Sequence, residues 1–198
     1  MADTAVPNNP TAKAFAITSA FWFAFGTSIG MIAAGYLIAP DFMGNISFLQ
    51  FGRLRPIHVN VVLFGFTTPG LLAAAFYYVP RLLKTELYSQ RLGVTNALVW
   101  NVAVIAGITG LFTGHSQGRE YAELIWPADM LVVVSFALAF INLVLTIRQR
   151  KEAVLYVSVW YVSAAVILTG LTYCLGNVIW QPDTGALVGI PDAILLWF

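Results

Sequence analysis

Charge is scarce in this chain. Asp, Glu, Lys and Arg make up only 10% of its 198 residues, against roughly a quarter in an average soluble domain. That scarcity excludes a disordered chain, a coiled coil and an ordinary soluble globule. Ten basic residues against nine acids leave a net charge of +1, so no basic footprint exists for nucleic acid. Cysteine is nearly absent. Cys174 alone excludes an intrachain disulfide and a thiolate metal cluster, and it reads as a small apolar packing residue. The only imidazoles are His58 and His115. There is no Ser/His/Asp constellation, phosphate loop, CxxC pair or internal repeat.

Apolar sequence is plentiful instead: 59% of residues are hydrophobic and the mean hydropathy is +0.80. Five runs stand out, at about Ala14–Ala39, Ile57–Val79, Leu92–Gly114, Met130–Ile147 and Ala153–Gly176, and none holds Asp, Glu, Lys or Arg. Crossing the hydrocarbon core takes about 20 apolar residues in a helix. A charge at the centre of such a helix costs on the order of 2.5–3.5 kcal/mol by insertion scales. Lipid cannot satisfy an open sheet edge, and barrel strands are shorter and alternate in polarity. The expected fold is therefore all-α, a polytopic membrane bundle of five complete transmembrane helices. Pro191-Asp192 followed by Ala193–Phe198 suits the start of a sixth, so the chain is expected to be the N-terminal part of a longer protein.

Lys and Arg set the orientation. One set of alternate connections holds seven of them, Lys13, Arg81, Lys84, Arg91, Arg148, Arg150 and Lys151, and the other holds only Arg53, Arg55 and Arg119. The first set faces the cytoplasm, and the N-terminus with it. Six of the nine acids, Asp41, Glu120, Glu123, Asp129, Asp183 and Asp192, then fall on the outer side. Residues 1–13 read as a polar cytoplasmic tail, and residues 14–198 as a membrane bundle forming part of a larger single domain.

Two polar stretches fall at the outer ends of the runs. The first is Phe51-Gly-Arg-Leu-Arg-Pro-Ile-His58-Val-Asn60. Pro56 suits the first turn of the second helix, which puts His58 within one turn of the start. An imidazole so placed has a lone pair suited to haem iron, and Arg53 and Arg55 just outside suit anionic groups such as propionates. The alternative is an interfacial histidine with two arginines snorkelling to lipid headgroups. The second stretch is His115-Ser-Gln-Gly-Arg-Glu120-Tyr-Ala-Glu123-Leu-Ile-Trp126-Pro127. On a helical turn Glu120 and Glu123 share a face, and such a pair can hold a hard cation such as Ca²⁺ or carry a proton. The alternative is a solvated acidic loop with Trp126 in the interfacial aromatic belt and His115 as a plain surface residue. Both stretches lie on the same side of the membrane, which favours a cofactor between them. Gly65 follows His58 by seven residues and leaves room for a flat macrocycle or a close helix. Thr67, Thr68 and Pro69 interrupt the second run, where the threonines can recapture a carbonyl that Pro frees. Asn96, Asn101 and Asn142 read as interhelical hydrogen bonds.

These two motifs, with the closing Gly189-Ile-Pro-Asp192-Ala-Ile-Leu-Leu-Trp197-Phe198, resemble the N-terminal half of the catalytic subunit I of cbb3-type (C-family) haem-copper cytochrome c oxidases. The related nitric oxide reductase large subunits share the fold and a similar Gly-Arg-Glu-Tyr turn. The resemblance implies that His58 is an axial ligand of low-spin haem b. It implies that Glu120 lies at a Ca²⁺ bridging haem propionates, and that Glu123 is a second acid there, in the second shell or on a proton route. Arg53, Arg55 and Trp126 would border the propionates.

The resemblance also implies electrons from cytochrome c through haem c-bearing partner subunits, and a high-spin haem b facing copper where O₂ is reduced to water with proton pumping. The setting would be a bacterial inner membrane. The copper ligands, the second haem b ligand and the high-spin haem ligand are absent from these 198 residues, so the chain alone is not expected to be active. A nitric oxide reductase fragment, with non-haem iron in place of copper, is one competitor. A polytopic protein without redox function, such as a transporter half or an assembly factor, is another.

Overall fold

The computed structural model describes residues 9–43, 46–117, 122–178, 180–181 and 186–187. Among them five helices are long and apolar enough to cross a membrane: α1 Pro10–Ile38, α2 Phe51–Leu82, α3 Gln90–Thr113, α4 Trp126–Arg148 and α5 Val157–Asn177. A short 3₁₀ turn, Ser47–Leu49, precedes α2, and Trp180–Gln181 pairs antiparallel with Ala186–Leu187. The expected all-helical bundle with five spans is thus observed. The expected start of a sixth helix lies outside the described residues.

α1 packs along α2 and touches α3, α3 lies against α4, and α4 carries α5. The core between them centres on Phe15, Leu54, Ile57, Phe76, Trp100 and Val132. Many large apolar side chains point outward, among them Met31 on α1 and Tyr161 on α5. Water would make such a surface unstable; lipid makes it neutral.

The helix boundaries depart from the sequence analysis where that analysis lets a charge mark an end. α1 begins at Pro10, not Ala14, because Asn9 caps it: Oδ1 accepts from Ala12 N at 3.0 Å. Thr11 is buried, its hydroxyl donating to Gln90 Oε1 at 2.7 Å. Residues 10–13 therefore belong to the bundle rather than to a tail. α2 begins at Phe51, not Ile57, after Gln50 in extended backbone. Pro56 consequently sits inside the helix, and His58 lies about two turns from its start. Gly52, the residue four before Pro56 whose carbonyl loses its helical donor, is exposed. α4 begins at Trp126, not Met130, with Pro127 in its first turn, so Asp129 is a helical residue and fully buried. α5 begins at Val157, leaving Ala153–Tyr156 outside it.

Pro69 does not break α2. The strain is taken up by a π-helical stretch, Val61–Thr67, in which a wider turn frees backbone carbonyls. The carbonyls of Leu63, Phe64 and Phe66 each find a side chain. Thr68 Oγ1 donates to Leu63 O at 2.8 Å, Trp100 Nε1 to Phe64 O at 2.6 Å, and Ser19 Oγ to Phe66 O at 2.8 Å. The carbonyl that loses its donor to Pro69 in this wider turn is Phe64 O, and Trp100 of α3 recaptures it rather than a threonine; Leu63 O already accepts from Thr68 N. The asparagines behave as expected. Asn96 meets Ser135 across α3 and α4, Asn101 accepts from Trp22 Nε1 at 3.0 Å, and Asn142 accepts from Ser89 N at 3.1 Å. At the opposite end of the bundle Lys84 pairs with Glu152. That hydrogen bond raises the exposed ammonium above the ordinary lysine value, so the link is complete at neutral pH and lost only as pH rises through the lysine range.

Trp100→Phe tests the π-helical stretch. It keeps the buried ring and removes the donor to Phe64 O. Reversible unfolding in mixed micelles is expected to show a loss of about 1–3 kcal/mol, the cost of an orphaned buried carbonyl.

Candidate functional site

The C-terminal half of α1 and the first turns of α2 converge at His58. Its Nδ1 lies 2.8 Å from Gly26 O of α1. A carbonyl only accepts, so Nδ1 carries the proton and donates. In the neutral ring the lone pair then belongs to Nε2, which has no hydrogen-bond partner among the described residues. This is the tautomer in which metal-binding histidines are held, with the second ring nitrogen bonded to a backbone carbonyl. The contact requires a helix without a side chain at position 30. A Cβ added to Gly30 would lie 2.6 Å from His58 Nδ1 and Cε1. Gly65 also faces α1, but its close neighbour is Trp22, at 2.7 Å from an added Cβ. A close helix, not a macrocycle, occupies that position.

The two arginines diverge. Arg53 Nη1 donates to Phe112 O at 2.6 Å, and its Nη2 would stand 2.8 Å from a Cβ on Gly114. Gly114 is in the left-handed region at φ 86° and ends α3. Arg53 therefore joins the start of α2 to the last turn of α3, where a cation suits the helix dipole. Arg55 is exposed on the other side. Trp126 opens α4 and is 42% exposed. His115 is exposed and shares a hydrogen bond with Thr113 Oγ1 at 3.0 Å, as expected of a surface residue. Cys174 is a free, half-buried thiol.

Glu120 lies outside the described residues. Glu123 is described, and it is not on a helical turn. It is buried at 8% exposure, and Asn60 Nδ2 donates to its Oε2 at 3.0 Å. Asn60 also donates to Pro56 O at 2.9 Å, so the acid from the third connection is tied to α2 just past His58. Among the described residues, no group of three or more His, Cys, Asp and Glu side chains comes together to hold a metal ion. A haem ligand needs no such group; a single imidazole lone pair directed by a carbonyl on the other ring nitrogen fits one axial position.

Three participants have no role in the sequence analysis beyond their place in an apolar run, in a motif or among the acids. They are Asp129, Gln117 and Tyr173. Asp129 accepts from Tyr173 Oη at 2.6 Å and from Gln117 Nε2 at 2.7 Å. Gln117 also donates through Nε2 to Leu124 O at 2.5 Å and through its backbone to Glu123 O at 3.2 Å. An acid two residues after Trp-Pro is a legible helix-start signal. Nothing local could pair it with Tyr173, 44 residues away.

Comparison with known proteins shows the family. The family described as "Cytochrome C and Quinol oxidase polypeptide I" matches residues 11–198. The chain is 29% identical over 193 residues to the cbb3-type cytochrome c oxidase subunit CcoN1 of Stutzerimonas stutzeri, covering 94% of this chain and 40% of that protein. It is 31% identical over 197 residues to cytochrome c oxidase subunit 1 of Rhodobacter capsulatus, covering 94% of this chain and 37% of that protein. A cytochrome c oxidase subunit 1 homolog of Azorhizobium caulinodans is 31% identical over 198 residues, covering 96% and 36%. The chain thus spans well under half the length of these relatives.

Gly30→Ala is expected to displace the His58 ring and break the bond to Gly26 O. With only two histidines in the chain, ¹⁵N spectra of histidine-labelled protein in lipid can read the tautomer. The wild type should show His58 protonated at Nδ1, and the variant should lose that signal.

Proposed function

Because this chain belongs to the cytochrome c and quinol oxidase polypeptide I family, we propose that it supplies one axial ligand, His58, to a low-spin haem b in subunit I of a respiratory terminal oxidase. The observation that carries the proposal is the bond between His58 Nδ1 and Gly26 O, which leaves Nε2 with its lone pair. Haem, when bound, supplies a one-electron iron couple on the route from cytochrome c to oxygen. The chain's own residues bind and orient. α1 fixes the ring orientation through a carbonyl that cannot rotate. Gly30 admits the ring close to the α1 backbone. Arg55 stands exposed three residues before His58, at the outer boundary where it can meet a propionate, and Trp126 lines the same boundary. Arg53 uses one donor on α3 and keeps others for an anionic group. Glu123, held by Asn60, is the buried acid of this layer, and Glu120 is assigned to a calcium ion.

In the same proposal the whole protein takes electrons through haem c-bearing subunits, passes them to a high-spin haem b beside copper, and pumps protons while reducing O₂ to water. This chain holds neither the copper ligands nor the second haem b ligand. Residues 10–198 form part of a larger domain in a bacterial inner membrane, with the N-terminus cytoplasmic, as the distribution of Lys and Arg supports. The names of the relatives are those of oxidase subunits, which favours an oxidase over a nitric oxide reductase. A family of membrane oxidoreductases disfavours a transporter half or an assembly factor.

His58→Ala in the full-length protein tests the assignment. Reduced-minus-oxidised spectra are expected to lose the low-spin haem b band while helix content is retained. An unchanged spectrum would refute the ligand role.

A further inference from the structure

Asp129 is fully buried in the first turn of α4, and both of its carboxylate oxygens are engaged. Tyr173 Oη, from α5, holds Oδ1 at 2.6 Å. Gln117 Nε2, from the third connection, holds Oδ2 at 2.7 Å. Gln117 then reaches the far limb of its own connection twice. Its side chain donates to Leu124 O at 2.5 Å and its backbone to Glu123 O at 3.2 Å. Glu123 in turn presents Oε2 to Asn60, two residues beyond His58 in the sequence. The Tyr173 ring is itself anchored, edge-on to Phe64 of the π-helical stretch with ring centroids 5.4 Å apart. A continuous set of hydrogen bonds therefore runs from α5 through Asp129 and Gln117 to the backbone that carries Glu123, whose carboxylate meets α2 within the same turn as His58.

We propose that Asp129 is a positioning residue. Acting through Gln117, it holds the Glu123 carboxylate against Asn60 and so sets the reduction potential of the iron that His58 would bind. This rests on the reading of His58 as a haem ligand. A carboxylate fixed at the same turn of α2 as His58 favours the more positive, ferric state by Coulomb attraction in a low-dielectric layer. Releasing that carboxylate raises the potential. Replacing Asp129 itself would change a charge as well as a position, so the discriminating variants are neutral. Gln117→Leu removes the side-chain bridge, and Tyr173→Phe removes one donor to Asp129 while keeping the ring.

The experiment is a double-mutant cycle in the full-length protein in membranes. Gln117→Leu is expected to raise the low-spin haem potential, with a change of about tenfold in the reduction equilibrium corresponding to 59 mV. Tyr173→Phe should shift it in the same direction by less. On a Glu123→Gln background Gln117→Leu should add no further shift. A full shift on that background, or no shift in either neutral variant, overturns the potential-setting role. Infrared difference spectra read the positioning without any haem, with Glu123→Gln identifying the Glu123 carboxyl band. Gln117→Leu should move that band and Tyr173→Phe, which reaches it only through Asp129, should move it by less; a band that Tyr173→Phe leaves unmoved overturns the positioning role of Asp129. A wild-type protein without haem refutes the ligand reading instead, and the infrared result then still decides whether Asp129 positions Glu123.

Discussion

Hydrocarbon offers no hydrogen bonds, so every backbone group that leaves the regular helical pattern within a span has to be met by another part of the protein. The π-helical stretch of α2 is where this constraint acts most strongly. Its carbonyls are met by Thr68, by Trp100 of α3 and by Ser19 of α1. Those bonds do more than satisfy the backbone. They lock the rotation of α2 relative to both neighbours, and α2 carries His58 and Asn60 immediately before the stretch. A small slip or rotation of the helix would move the imidazole off Gly26 O. Local irregularity in the helix and close placement of the histidine are thus two aspects of one packing solution.

The polar layer at the His58 end of the bundle is organised by the same scarcity of polar partners. Arg53 meets the open carbonyls at the end of α3, which a left-handed Gly114 turns toward it. Gln117 binds both limbs of the third connection and the buried Asp129. Asn60 takes the carboxylate of Glu123. Each polar side chain serves two elements, so the layer stays ordered although it holds two buried acids. An imidazole with a fixed tautomer thus shares one end of the bundle with a buried acid held by Asn60.

Much of this was legible in the sequence, for a physical reason. Excluding charge from hydrocarbon is a strong, local rule, and it places all five spans to within a few residues. The misplaced start of α2 has a plain cause. The charges of Arg53 and Arg55 suggest the end of a helix, whereas long basic side chains can leave a helix laterally and let it continue. Asp129 reads as one more outer acid, because nothing beside it in sequence reveals the Tyr173 hydroxyl that makes its burial tolerable. Pro69 announces an interruption, but whether the chain would kink or widen depended on donors located on other helices.

Composition and the order of residues decided that this chain lives in lipid, how many times it crosses, and that His58 stands among polar neighbours at one surface. These follow from solvation, which acts on each segment separately. Which nitrogen of His58 keeps its lone pair, which acid Asn60 receives and what Arg53 touches were decided only by packing. Such choices depend on atoms brought within 3 Å by helices far apart in the chain, and no segment carries that information alone.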